Sequence, residues 1–116
     1  MLLNTDHVRC LIVEDDAFKL EGVRAYLNSV FTGTLEISVC QALASATALL
    51  SSQTFDLAII DMSIHSHEPQ AGSGSPFPLS SGGLDVLFTI VYSEDGANTP
   101  CIILTQYPDI DIESLP

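Results

Sequence analysis

The sequence predicts an α/β fold, a parallel sheet with helices packed on both faces. Three observations predict it. Short, nearly continuous apolar runs at 8–13, 55–61 and 101–104 have the length and composition of strands buried on two sides. Segments with helical or Ala/Leu-rich character lie between them, which implies right-handed crossovers. The polar residues Asp15, Asp16, Asp61 and Thr105 fall at the carboxyl ends of the runs, where ligands sit in such a sheet.

Each element follows from local chemistry. Val8-Arg9-Cys10-Leu11-Ile12-Val13 is a buried strand leading into the acidic turn Glu14-Asp15-Asp16. Residues 18–30 then show an apolar stripe, Leu20, Val23, Leu27 and Val30, spaced by three and four. Lys19, Glu21, Arg24 and Asn28 lie off it, as in an amphipathic helix. Asp16 is placed to cap that helix. Residues 35–39 alternate with period two, the mark of a half-exposed strand near an edge. Residues 42–50 form an Ala- and Leu-rich helix stopped by Ser51-Ser52, and 55–61 is a buried strand ending in Asp61.

Composition then changes to Gly, Ser, Pro and His over 62–81. Such a stretch without periodicity predicts a long flexible loop, functional or disordered. Gly82-Gly83 opens the next element, 84–93, where Val86 to Tyr92 would pass as a strand on local propensity. Pro100 introduces the strand 101–104, which ends at Thr105.

Length and charge narrow the function. A chain of 116 residues supports a single domain, 1–116. Only Arg9, Lys19 and Arg24 are basic, against 15 acids, a net charge of -12. Phosphate backbones and anionic lipid repel such a surface, so neither nucleic acid nor membrane is an expected partner. No run approaches the roughly 18 apolar residues of a membrane span, and the N-terminus lacks the pattern of a secretion signal. Cys10, Cys40 and Cys101 sit in or beside apolar runs and read as buried thiols of a reducing, cytoplasmic compartment. His65 and His67 form an H-x-H that has no third ligand at a recognisable spacing and reads as solvated. Asp109 and Asp111 are expected to be exposed.

Two strands that each end in acid bring carboxylates together at one sheet edge. Like charges that close repel unless a cation sits among them, which calls for a divalent metal and suggests phosphoryl chemistry.

At this point the chain resembles the receiver domain of bacterial two-component response regulators. Four pieces carry the resemblance, in the family's order. They are Leu11-Ile12-Val13-Glu14-Asp15-Asp16, Asp56-Leu57-Ala58-Ile59-Ile60-Asp61, Gly83-Leu84-Asp85-Val86-Leu87 and Ile102-Ile103-Leu104-Thr105. The resemblance implies a flavodoxin-like sheet, a helix from Gly83, and no enzymatic activity of its own. It implies Asp61 as phosphoacceptor from a histidine kinase or phosphotransfer protein, and Thr105 as the hydroxyl that contacts the phosphoryl group. It also implies Mg2+ held by Asp15, Asp16, Asp61 and the backbone carbonyl of Ser63. Helix capping is the plainer reading of Asp15 and Asp16.

The sequence departs from the family pattern in three places. The loop 62–81 replaces a short turn. The helix from Gly83 has apolar Phe88 and Val91 where polar residues are usual, which suggests contact with a partner. The chain ends 11 residues after Thr105, without the family's fifth strand, last helix or phosphate-pairing lysine. The 101–104 strand is therefore expected to present an open edge, covered by a second copy or another protein together with Phe88 and Val91. The expected function is a receiver module in phosphorelay signalling. The alternative is a pseudo-receiver that binds proteins without phosphate. A metal-dependent phosphatase fits less well, since Ser63 stands where such enzymes place a second acid.

Overall fold

The computed structural model describes residues 6–69, 71–72, 74–93 and 98–105. Strands β1 (His7–Val13), β2 (Thr34–Cys40), β3 (Leu57–Asp61) and β6 (Cys101–Leu104) form one parallel sheet in the order β2-β1-β3-β6. Helices α1 (Ala17–Val30), α2 (Leu43–Ser52) and α3 (Gly82–Val91) complete the frame. Among the described residues the sheet has four strands, with β2 and β6 at its edges. The alternation read in residues 35–39 is that of an edge strand.

Side-chain alternation in the two central strands divides the core. Leu11, Val13, Ala58 and Ile60 pack with Ala46 of α2 and Val86 and Ile90 of α3. Cys10, Ile12, Leu57 and Ile59 face the other way, against Leu27, Leu20 and Val23 of α1. Strands buried on both faces read as continuous apolar runs for this reason. Phe55 and Asp56 precede β3, and each still has a structural use. Asp56 exchanges bonds with the backbone of Arg9, its N–H donating to Arg9 O at 2.7 Å and its Oδ2 accepting from Arg9 N at 2.8 Å. Phe55 is buried beneath the Arg9 guanidinium.

Two helices run differently from their sequence pattern. Ser51 and Ser52 do not stop α2, because their hydroxyls donate to the carbonyls of Ala48 and Leu49 and remain helical. Helix α3 begins at Gly82 and ends at Val91. Its strand-like composition is overridden by packing of Val86 and Ile90 into the core. It is not buried all round: Phe88 is 49% exposed and Tyr92, just past its end, 81%.

The segment 62–81 is not bare loop. It holds two short antiparallel strands, β4 (Ile64–His65) and β5 (Pro78–Leu79), and Ile64 belongs to the main core. Cys10 and Cys40 are buried and Cys101 half-buried, all as free thiols. Burial pushes the Cys10 thiol up to about 11, so it stays protonated and unreactive. Asp109 and Asp111 lie outside the described residues.

Candidate metal centre at the carboxyl edge of the sheet

Strand register brings the acids together. Val13 pairs with Ile60, so the next residue on each strand, Glu14 and Asp61, stands at the same level of the sheet. The Glu14 N–H still donates to Cys40 O at 2.9 Å, which holds it in the ladder. On the other side Asp61 pairs with Leu104, which sets Thr105 one residue beyond. The Met62 N–H donates to Leu104 O at 2.8 Å and the Gly83 N–H to Met62 O at 2.8 Å, fixing the backbone just past Asp61. Gly83 must lack a side chain here: a Cβ would meet Asp61 O at 2.3 Å. The start of α3 is thus docked directly on the Asp61 backbone.

One carboxylate oxygen from each of Glu14, Asp15 and Asp61 lies within 4.8 Å of the other two. Glu14 and Asp61 are each 1% exposed. Glu14 Oε1 and both oxygens of Asp61 are buried with no hydrogen-bond partner among the described residues. Buried ionised oxygens without donors are costly unless a cation satisfies them. Burial is the largest cause pushing the Glu14 carboxyl above its usual range. The Asp16 N–H and the Lys19 ammonium oppose that push, and the neighbouring Asp61 adds to it.

This set differs in one member from the acids expected from sequence. Asp15 and Asp61 are brought together; Asp16 is not among the three. It is the N-cap of α1, its Oδ1 accepting from the Lys19 N–H at 3.0 Å. The capping reading of Asp16 therefore describes its place. Glu14 takes its position instead. A signal for it was present: Glu14 follows Val13 as directly as Asp61 follows Ile60, so both are first residues after a buried run. Ser63 lies half-buried in the bend two residues past Asp61, and Thr105 is exposed at the end of β6.

The comparisons with known proteins now bear on this geometry. No family model matches the chain. The Detocs response regulatory protein DtcB of Vibrio alginolyticus is 38% identical over 106 residues, spanning 91% of this chain and 70% of that protein. The chain belongs to the response regulators. Two solved structures share the receiver fold. The MaeR response regulator bound to beryllium trifluoride superposes with a TM-score of 0.63 at 23% identity, covering 91% of this chain and 73% of that one. A signal receiver domain of two-component signal transduction from Clostridium thermocellum gives 0.63 at 20% identity, covering 84% and 67%. The flavodoxin-like receiver fold expected from the four motifs is the one observed.

Around the receiver's acidic cluster stands one feature outside those motifs. His65 on β4 donates from Nδ1 to Asp15 Oδ2 at 3.0 Å. His65 is therefore not a freely solvated loop residue. His67 bonds within its own segment, to Ser66 Oγ and Gly74 O. No helix among the described residues is long and apolar enough to cross a membrane.

Proposed function

We propose that this receiver is a phosphoacceptor in phosphorelay signalling, with Asp61 as the nucleophile. The observation that carries the reading is the pair of buried, unpartnered Asp61 oxygens facing an equally unpartnered Glu14 oxygen. Three converging carboxylates fit a hard divalent cation such as Mg2+, which takes oxygen ligands and keeps open positions for water or phosphate. Glu14, Asp15 and Asp61 would hold it, with the carbonyl of Ser63 in reach of the same edge. Such an ion, when bound, neutralises charge on the phosphoryl oxygens.

The chain's own residues supply the rest. An Asp61 oxygen attacks phosphorus, forming a P–O bond as the P–N bond of a phosphohistidine donor breaks, and the leaving imidazole keeps the electron pair. The Thr105 hydroxyl, level with the site on the neighbouring strand, donates to a phosphoryl oxygen. Burial of Asp61 keeps competing water from the nucleophile. The donor is a histidine kinase or phosphotransfer protein, and the module acts in the cytoplasm through protein contacts, not as an enzyme in its own right.

The second reading, a phosphate-independent interaction module, draws on a different observation. Phe88 on α3 is 49% exposed and Tyr92 just past its end 81%, an apolar surface that a protein partner would cover without any phosphoryl group.

Incubation with Mg2+ and a small phosphodonor separates the two. The expected result is a mass gain of one phosphoryl group that Asp61→Ala abolishes. Beryllofluoride is expected to raise thermal stability only when Mg2+ is present. A protein that neither gains mass nor responds to beryllofluoride is a pseudo-receiver.

A further inference from the structure

We infer that His65, carried by the segment between β3 and α3, is a positioning residue for the metal ligand Asp15. This rests on the receiver reading above and concerns a residue that the four family motifs do not contain.

The three acids are not held alike. Glu14 and Asp61 are buried and fixed by strand backbone, but the Asp15 side chain is 32% exposed. It follows the last ladder bond of β1 and precedes the cap of α1, so nothing in either element fixes its rotamer. A carboxylate in that position is free to turn into solvent, where it contributes little to a preorganised site. The partner it has is His65, whose Nδ1–H donates to Oδ2 at 3.0 Å.

The backbone that carries the imidazole is itself held. His65 pairs with Pro78 across the β4–β5 ribbon and bridges to Ala42 at the start of α2. On its amino side Ile64 is anchored in the core. On its carboxyl side the Ser66 N–H donates to Phe77 O at 2.9 Å, and Ser66 O accepts from the Ala44 N–H at 3.0 Å. Further along, Glu68 Oε1 accepts from Ser45 Oγ at 2.6 Å and from the Gln41 N–H at 3.3 Å. The ribbon is therefore tied to the sheet edge and to α2, and among the described residues its hydrogen bond to the acidic cluster is the His65–Asp15 bond. Hydrogen-bonded partners of metal ligands fix ligand orientation, and losing one typically weakens metal binding 10–100-fold. His65 fills that role for Asp15, which leaves the second Asp15 oxygen to face the metal.

The same bond links two events. A cation that favours the inward Asp15 rotamer also favours the seated ribbon, so occupancy of the site and seating of the segment reinforce each other.

The test is Mn2+ binding to the full chain, followed by the loss of free Mn2+ spectral signal. The series is wild type, His65→Ala, His65→Asn and Asp61→Ala, each checked for folding by circular dichroism. Asn places an N–H donor near the position of Nδ1. The expected result is about tenfold weaker binding for His65→Ala, near wild-type binding for His65→Asn, and loss for Asp61→Ala. In wild type, Mn2+ should also slow hydrogen exchange at the Ser66 amide, and in His65→Ala it should not. Equal affinity for His65→Ala and wild type overturns the inference, and so does an Asn variant as weak as the Ala variant while still folded. Wild type that takes up no Mn2+, or an Asp61→Ala variant that binds normally, overturns the receiver reading itself, and this inference with it.

Discussion

Replacing Asp61 by Asn should stabilise the metal-free protein. The substitution keeps the side-chain shape, removes one negative charge, and supplies two N–H donors beside a Glu14 oxygen that has none. Oxygens of Asp61 and Glu14 lie within 4.8 Å. Two full charges at that distance repel by about 3.5 kcal/mol at an effective dielectric of 20. Less than this is realised, because the Asp16 N–H and the Lys19 ammonium offset part of the negative charge at Glu14. The Asp15 contribution is discounted further by its exposure and its bond to His65. We therefore expect a net gain of about 2 kcal/mol, or roughly 8 °C in Tm for a domain of this size. Thermal unfolding in EDTA, followed by circular dichroism, measures it. Added Mg2+ should raise wild type by about 2.7 kcal/mol at a hundred times its Kd and leave the Asn variant unmoved. An Asn variant no more stable than wild type in EDTA would show that the three carboxylates do not strain the fold, and the case for a cation would fail.

Three further outcomes are expected. Glu14 has a raised pKa in the folded state, so folding binds a proton there, and the metal-free protein gains stability as pH falls through that raised pKa towards the ordinary carboxylate range. Wild type in EDTA should melt higher at mildly acid pH than at neutral pH, and Glu14→Gln should reduce that difference; equal slopes would refute the assignment. The glycines supply a paired control on α3 docking. Gly22→Ala, with nothing within 4 Å of the new methyl, should stabilise by about 0.5–1 kcal/mol. Gly83→Ala, whose methyl meets Asp61 O, should destabilise by about 1–3 kcal/mol in a urea titration. Phe88→Lys removes an apolar side chain that is half exposed on α3, and should lower association measured by sedimentation while leaving the melting curve nearly unchanged. No change in association would count against a partner on that face.

The sheet was legible because β1 and β3 are buried on both sides and must read as apolar runs. Their carboxyl ends were legible for the same reason, since burial stops abruptly at an acid. What the pattern could not resolve was phase at the β1–α1 junction. Glu14, Asp15 and Asp16 are chemically near-identical, and two steps along the chain separate a ladder residue from a helix cap. The ribbon was illegible for a different reason. Two residues pair with two across a long connection, which is too short for any alternation to register. The His65–Asp15 bond depends on that ribbon, so a contact spanning 50 positions left no trace in either local motif. Helix α3 carried a contradictory signal, strand-like by propensity, and its state is decided by the face it lends to the core.

Ile64 gives the inserted segment an unequal mechanics. It is 2% exposed, and a Cβ on Gly82 would lie 2.8 Å from its Cγ1, so it occupies a socket that the first residue of α3 leaves open. The root of the segment can therefore be released only by opening the core, at a cost near that of global unfolding. Beyond the Ser66–Phe77 bond, Glu68 holds to Ser45 Oγ and the Gln41 N–H through its side chain, not through the core. Breaking those polar contacts leaves the core closed. The segment behaves as an arm hinged at a fixed shoulder. A change at Glu68 would act on the polar ties to Gln41 and Ser45 and leave the Ile64 socket intact.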